Sequence, residues 1–335
     1  MSERNVDVID LGGLSSQDWE TWRHHHAARR PSAGMSESPD FLVPLAQEIG
    51  KCRVVRIREG GKIVGYIPVY QPFGPSFAFP IPMCDYQAVA LFDASYPDYR
   101  RILQQAGICR WKYENITDGN GLSEVSRRFD GRPVPMVLMA ESFPEYLRDK
   151  ANNGSTFHSI LPMSRRLARE VGGVSLIRAT SSEEFVDLLL EHKIRRQPGT
   201  PPFDPFVRKV LLRFAGRESG EIRGVPYILM AGDEALALAL TLEAGDHAFY
   251  WFCSYEPDFA RYSPGSVLLI KIIEELHARK FRTLDLGPGG EPWKERFATK
   301  HRTACNGHIY SYEALGDFEA KVRGVVRSIR STMKS

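Results

Sequence analysis

The chain has 335 residues, 44 Lys+Arg against 41 Asp+Glu for a net charge of +3, and 43% apolar and 25% charged residues. This is the balance of a globular protein long enough for two domains, and it excludes a broad basic nucleic-acid footprint. No apolar run reaches the ~18–20 residues of a membrane helix, the polar start MSERNVDVID lacks a signal-peptide core, and the five scattered cysteines form no CxxC pair. A reduced, cytoplasmic protein with neither a disulfide framework nor a metal site is expected.

In chain order, a Ser15-Ser16 cap predicts a helix over 16–30, and a second is expected over 41–49. His24, His25 and His26 are consecutive, and steps of about 100° on a helix keep them from facing one ion, so they read as a solvated helix end. Strands are expected over 52–58 and 63–69, joined at Gly60-Gly61 as a hairpin. The loop 71–83 is dense in Pro and aromatics. Tyr70, Phe73, Phe77, Phe79 and Tyr86 either pack this loop or line a sugar-sized groove. Strands over 111–116 and 136–139 complete a first half of 18 basic and 19 acidic residues over 1–150.

Residues 146–170 read as a polar helical linker, followed by a strand over 174–179. Ser181-Ser182-Glu183-Glu184 is a capping box that opens a helix through Arg196, and Asp204-Pro205 opens another. Three strands, 226–230, 235–243 and 248–255, are joined at Gly232-Asp233 and Gly245-Asp246 as an antiparallel meander. In Tyr262-Ser263-Pro264-Gly265-Ser266, Ser263 suits an N-cap, Pro264 the first helical position, and Gly265 a close backbone approach. The free N–H groups of such a helix start favour a phosphate. The apolar run 283–286 then breaks at Gly287-Pro288-Gly289-Gly290 and restarts as a charged turn with Glu291, Trp293, Lys294, Glu295 and Arg296. A strand stopping at a Gly turn is where α/β proteins place ligands. A last strand is expected near 307–312. Phosphate-loop, zinc-protease and nucleophile-elbow motifs are missing, and Pro292 breaks a dinucleotide fingerprint.

The stretches Phe259-Ala260-Arg261-Tyr262-Ser263-Pro264-Gly265 and Asp285-Leu286-Gly287-Pro288-Gly289-Gly290-Glu291-Pro292-Trp293-Lys294 resemble the second half of an acyl-CoA N-acyltransferase domain of the GNAT superfamily. More narrowly, they resemble its Fem-like branch, which includes the CelD/BcsL-type acetyltransferases of cellulose and exopolysaccharide biosynthesis. The resemblance spans about residues 40–315. Leu286 stands where that family has an aromatic residue and Trp293 where it has Tyr, so no role of that phenol carries over.

The resemblance implies an α/β fold of tandem GNAT-like domains with mixed, mostly antiparallel sheets flanked by helices. Residues 1–150 would form a degenerate first domain and 151–316 the acyltransferase domain. The implied function is transfer of an acetyl or other acyl group from acyl-CoA to an amino or hydroxyl group of a sugar precursor or exopolysaccharide. Acetyl-CoA would be the co-substrate, a small molecule or glycan the acceptor, and neither metal nor DNA would be involved. Arg261, Ser263, Gly265 and Ser266 would hold the pyrophosphate, with Lys271 or Lys294 as charge partners. Backbone N–H groups at the end of the 248–255 strand would stabilise the oxyanion. Three residues are candidate bases: Asp285, where partial desolvation suits the role, Glu291 across the turn, and His192, on a helix where the family shows His or Lys followed by Arg. A Fem-type transferase using aminoacyl-tRNA is the enzymatic alternative, against which the near-neutral first half argues. The replacement at Trp293 leaves open a catalytically inactive binding subunit of a polysaccharide synthesis complex.

In the tail, Phe318, Val322, Val325, Val326, Ile329 and Met333 fall within one helical arc of about 100°, opposite Arg323, Arg327, Arg330 and Lys334. A helix over 317–335 either packs on the body with a solvated basic face or makes weak contact with an anionic inner-membrane surface.

Overall fold

The structure, a computed structural model, describes residues 4–29, 34–92, 98–117, 121–139, 142–153, 159–196, 205–217 and 220–316. The expected tail helix over 317–335 lies outside the described residues. The chain divides into two compact units, 1–131 with 304 onward and 132–303. The division therefore falls at neither residue 150 nor residue 316. The chain leaves the first unit within one strand and returns within its last.

The first unit contains β1 (Arg4–Asp10), α1 (Ser16–Arg29), α2 (Pro39–Ile49), β2 (Cys52–Glu59), β3 (Lys62–Tyr70), β4 (Phe77–Ala78), β5 (Ala90–Leu91), α3 (Tyr99–Gln105), β6 (Arg110–Thr117) and α4 (Leu122–Val125), and the start of β7 (Arg127–Leu138). Strands β1-β2-β3-β5 form an antiparallel sheet. Gly60 and Gly61, at φ 56° and 80°, make the expected hairpin turn. The histidine run serves packing: His25 stacks on Phe92 at 3.7 Å, and His26 Nε2 lies 3.3 Å from the Gly34 carbonyl. Among the loop aromatics, Tyr86 is buried whereas Phe73 is 79% exposed.

The second unit continues with α5 (Phe143–Asn153), α6 (Ile160–Glu170), β8 (Val174–Arg178), α7 (Ser182–Arg196), α8 (Pro205–Ala215), β9 (Arg223–Ala231), β10 (Glu234–Ala244), β11 (His247–Tyr255), α9 (Pro264–Ala278), β12 (Thr283–Asp285), α10 (Pro292–Phe297) and the start of β13 (Lys300–Tyr310). The expected polar helical linker over 146–170 is thus two helices, α5 and α6. The unit's strands run β7-β12-β11-β10-β9-β8, antiparallel throughout except for the parallel pair β11 and β12. Alternate residues sort the two faces. Val225, Tyr227, Leu229 and Ala231 of β9 join the core that α9 fills with Val267, Leu268, Ile272, Ile273 and Leu276. The other face receives α7 and α8, where Phe214 packs on Trp251 at 5.2 Å.

The contact between β9 and α8 is tight enough to fix a residue type. A Cβ on Gly224 would fall within the carbonyl oxygen of Phe214, a backbone atom that cannot rotate away. Gly224→Ala should cost at least about 3 kcal/mol in a denaturation experiment, at the upper end for overpacking. A variant as stable as the wild type would contradict this packing.

Candidate active site

Pairing between β11 and β12 runs only over His247–Thr283, Ala248–Leu284 and Phe249–Asp285. Beyond Phe249, β11 continues to Tyr255, while the other chain turns away at Leu286-Gly287. Two parallel strands that part in this way leave one backbone edge without a strand neighbour, and its N–H and C=O groups need partners. A cavity of about 400 Å³ opens here, lined by Tyr250, Cys253 and Tyr255 of β11, the first turn of α9 (Ser263 to Ser266), Trp293 and Arg296 of α10, and Arg196 at the end of α7.

A β-bulge arranges the β11 wall. Thr241 pairs with Tyr250 and Leu240 with Phe252, so Trp251 is an extra residue on β11. The extra residue shifts the alternation and places Tyr250, Cys253 and Tyr255 on one face. Burial, and then the adjoining Cys253, hold the Tyr250 phenol well above its ordinary pKa. It is therefore a neutral O–H donor at physiological pH.

At the other end, Ser263 sits in the left-handed region (φ 51°, ψ 52°) and makes no side-chain cap, contrary to its expected N-cap bond. Its carbonyl accepts from the N–H groups of Ser266 (2.9 Å) and Val267 (3.1 Å). Gly265 is close to the β11 wall: a Cβ there would be 3.5 Å from Tyr255 Cδ1, an ordinary contact. Arg196 lies over the Tyr255 ring at 5.2 Å, and the buried Nε of Arg296 has no hydrogen-bond partner. Among the described residues neither arginine makes an ion pair, and no carboxylate lines the cavity.

The structure brings Ser263, Gly265 and Ser266 to this cavity and places the other expected site residues around it. Arg261 points to its neighbour, donating to Tyr262 Oη at 2.8 Å. Lys271 lies further along α9, 3.9 Å from Glu274. Lys294 is 7% exposed and clips the glycine turn, with Nζ donating to Pro288 O at 2.8 Å and Gly287 O at 3.4 Å and pairing with Glu291 at 2.9 Å. Asp285, also 7% exposed, accepts from Gly287 N at 2.8 Å and from Arg302 at 2.8 Å. It holds the strand end and the turn together. Glu291 precedes α10 with its carboxylate half exposed.

His192 lies on α7, against the face of β11 opposite the Tyr250 side. Its Nε2 is 3.4 Å from Glu256, which also pairs with Arg195 at 2.6 Å, and its buried Nδ1 has no partner. Burial lowers its pKa. Glu256 accepts from Asp258 N at 3.3 Å, capping the 3-10 helix Pro257–Tyr262 that leads into α9. Sequence reasoning missed Arg196, Arg296, Tyr250 and Cys253; the aromatic density of His247–Tyr255 is a signal that could have drawn attention to that strand.

Residues 158–295 match the model of the acetyltransferase (GNAT) domain family. Among solved structures, FemX aligns with 93% of this chain and 99% of its own at 12% identity and a TM-score of 0.59. The C-terminal domain of a putative lysylphosphatidylglycerol synthetase from Agrobacterium fabrum aligns with 92% of this chain and 96% of its own at 14% identity and a TM-score of 0.53. A tandem GNAT protein from the clavulanic acid biosynthesis pathway aligns with 92% and 99% at 10% identity and a TM-score of 0.53. No curated protein matches the sequence. Likeness at these identities is one of fold, and the chain is a protein of GNAT fold whose residues 158–295 match the acetyltransferase (GNAT) domain model.

Proposed function

We propose that the cavity at the parting of β11 and β12 binds an acyl-CoA and that the protein transfers the acyl group to an amino or hydroxyl group. The observation that carries this reading is the coincidence, in one cavity, of a helix start, two arginines without acid partners and a neutral phenol. The cavity's size suits the pantetheine arm, with the nucleotide outside. CoA supplies an activated thioester when bound. The chain's own groups divide the remaining work. The first turn of α9 with Arg196 and Arg296 binds phosphate. The free edge of β11 offers N–H groups to an amide-bearing arm and to a developing oxyanion. Tyr250 supplies a proton donor for a departing sulfur.

Of the three candidate bases, Glu291 best fits proton acceptance from an arriving acceptor, since its carboxylate reaches solvent beside the turn. Asp285 then acts as a positioning residue through Gly287 and Arg302, and His192 as part of the support under β11. The sequence resemblance favours a sugar precursor or exopolysaccharide as acceptor, with the tail over 317–335 offering weak contact to an anionic membrane surface. No helix among the described residues is long and apolar enough to cross a membrane.

Calorimetry with CoA tests the donor site. Gly265→Ala should bind normally, because its Cβ meets only an ordinary contact. Gly265→Glu should abolish binding with the fold intact, because a carboxylate would repel phosphate. Undiminished affinity in Gly265→Glu removes the assignment. Turnover of acetyl-CoA against amino sugars and, in parallel, of aminoacyl-tRNA decides between the acyl-CoA reading and the tRNA alternative.

Glu291→Gln should lower turnover by about 10²–10⁴, the loss expected of a general base. An unchanged rate in both Glu291→Gln and Asp285→Asn would move the base elsewhere.

The depressed pKa of His192 has a separate consequence for stability. Below its ordinary value of 6.5 the unfolded chain takes up a proton that the folded protein resists. Its contribution is present in full above that pH and is lost as pH falls toward the folded value. Urea midpoints should therefore drop less between pH 7 and pH 5 in His192→Gln than in the wild type. Equal slopes would show that the buried imidazole does not control this part of the acid response.

A further inference from the structure

We propose that Trp293 closes the acyl end of the cavity and restricts the donor to short, acetyl-sized acyl groups. This deepens the acyl-CoA reading above and rests on it. The two ends of the cavity can be told apart by position along β11. The phosphate end is fixed at the first turn of α9, because Gly265 there adjoins Tyr255. Tyr250 is five residues back along the same strand, at most about 16 Å at ~3.3 Å per residue and somewhat less across the bulge. An extended arm that leaves its phosphates beside Tyr255 therefore brings its sulfur and acyl group toward Tyr250.

There it meets Trp293. The two rings stand edge to face, with centroids 6.1 Å apart and planes at 61°. The indole cannot swing aside cheaply. It packs on the apolar core of the unit, and the ammonium of Lys294 lies 5.6 Å from its ring. Lys294 is itself held by the carbonyls of Gly287 and Pro288. The core on which Trp293 packs is closed as well, since Leu286, on the same side of the sheet as Tyr250, is 2% exposed. A chain longer than two carbons has to displace Trp293 or leave the cavity. The wall thus sets length through packing, with no charged or hydrogen-bonding group needed to recognise the acyl carbon.

Unreactive thioethers isolate this property from the unknown acceptor. Binding of CoA, S-ethyl-CoA, S-butyl-CoA and S-hexyl-CoA should be measured by calorimetry for wild type and Trp293→Ala. In the wild type, affinity should fall by at least about tenfold from S-ethyl to S-hexyl, since a pocket without room for methylenes discriminates by that order or more. In Trp293→Ala the three thioethers should agree with one another within about threefold. A wild type that takes S-hexyl-CoA as tightly as S-ethyl-CoA overturns the inference without any variant, as does a Trp293→Ala protein that keeps the full preference. If Trp293→Ala does not fold, Trp293→Phe serves, and it should admit S-butyl-CoA. Failure of CoA itself to bind the wild type would remove the acyl-CoA reading and the inference with it. Normal CoA binding with unaltered length preference would remove the inference alone.

Discussion

The parallel pairing of β11 with β12 lasts three residues, and the site depends on its ending at Phe249 and Asp285. Had β12 continued, its N–H and C=O groups would have occupied the edge of β11 from Tyr250 to Tyr255. The early ending is enforced from both sides. On the β12 side, the Asp285 carboxylate accepts from Gly287 N, which bends the chain out of the sheet, and Arg302 fixes its second oxygen. Gly287 at φ 82° and Gly289 at φ 121° supply a backbone that other residues adopt poorly. Lys294 then caps two carbonyls of the turn, the buried one of Gly287 and the partly buried one of Pro288.

On the β11 side, Glu256 has the corresponding task. It receives Arg195 and faces His192 from α7, and it caps the short helix leading to Ser263. The strand end, the helix beneath it and the start of α9 are thus tied at one carboxylate. Arg196 follows Arg195 directly, so the same pairing that secures α7 delivers a guanidinium to the cavity. The charge at the cavity is positioned by structural charge one residue away.

Much of this was legible in the sequence because the local signals are strong. The Gly60-Gly61 hairpin, the meander at Gly232-Asp233 and Gly245-Asp246, the Pro-started helix and the glycine turn all lie within a residue or two of their expected places. These features depend on neighbouring residues. The first strand, Arg4–Asp10, was missed because its pairing partner, Cys52–Glu59, lies more than forty residues away. The return of β13 to β6 was missed for the same reason, and with it the division into units. At the cavity, sequence order could single out Ser263 and Gly265 but could not rank the cations. Arg261 and Lys294 looked suited to phosphate, yet local partners take both, Tyr262 for one and the turn carbonyls for the other. Arg196 and Arg296 could not be singled out because what distinguishes them is three-dimensional: they come from separate helices to one cavity with no acid among its described lining residues.

The ion pairs that shape the site are poor sources of stability. Burying Asp285 and Arg302 costs each its hydration, and the attraction between them offsets that cost only in part. The same holds for Glu256 beneath β11. Apolar residues of similar volume would hold a fold at least as well, but they could not accept from Gly287 N or Asp258 N, and so could not dictate where each strand end turns. The unit separates these tasks in space. Its stability lies in the apolar layer between the sheet and α9, where side chains from β9, β10 and β11 meet the Val267–Leu276 face. The buried carboxylates that accept from backbone N–H groups, Asp285 and Glu256, are found where two strands must part and a helix must begin. A buried carboxylate that accepts from a backbone N–H at a strand end is therefore a better guide to the site in this fold than a carboxylate that merely lies in a cleft.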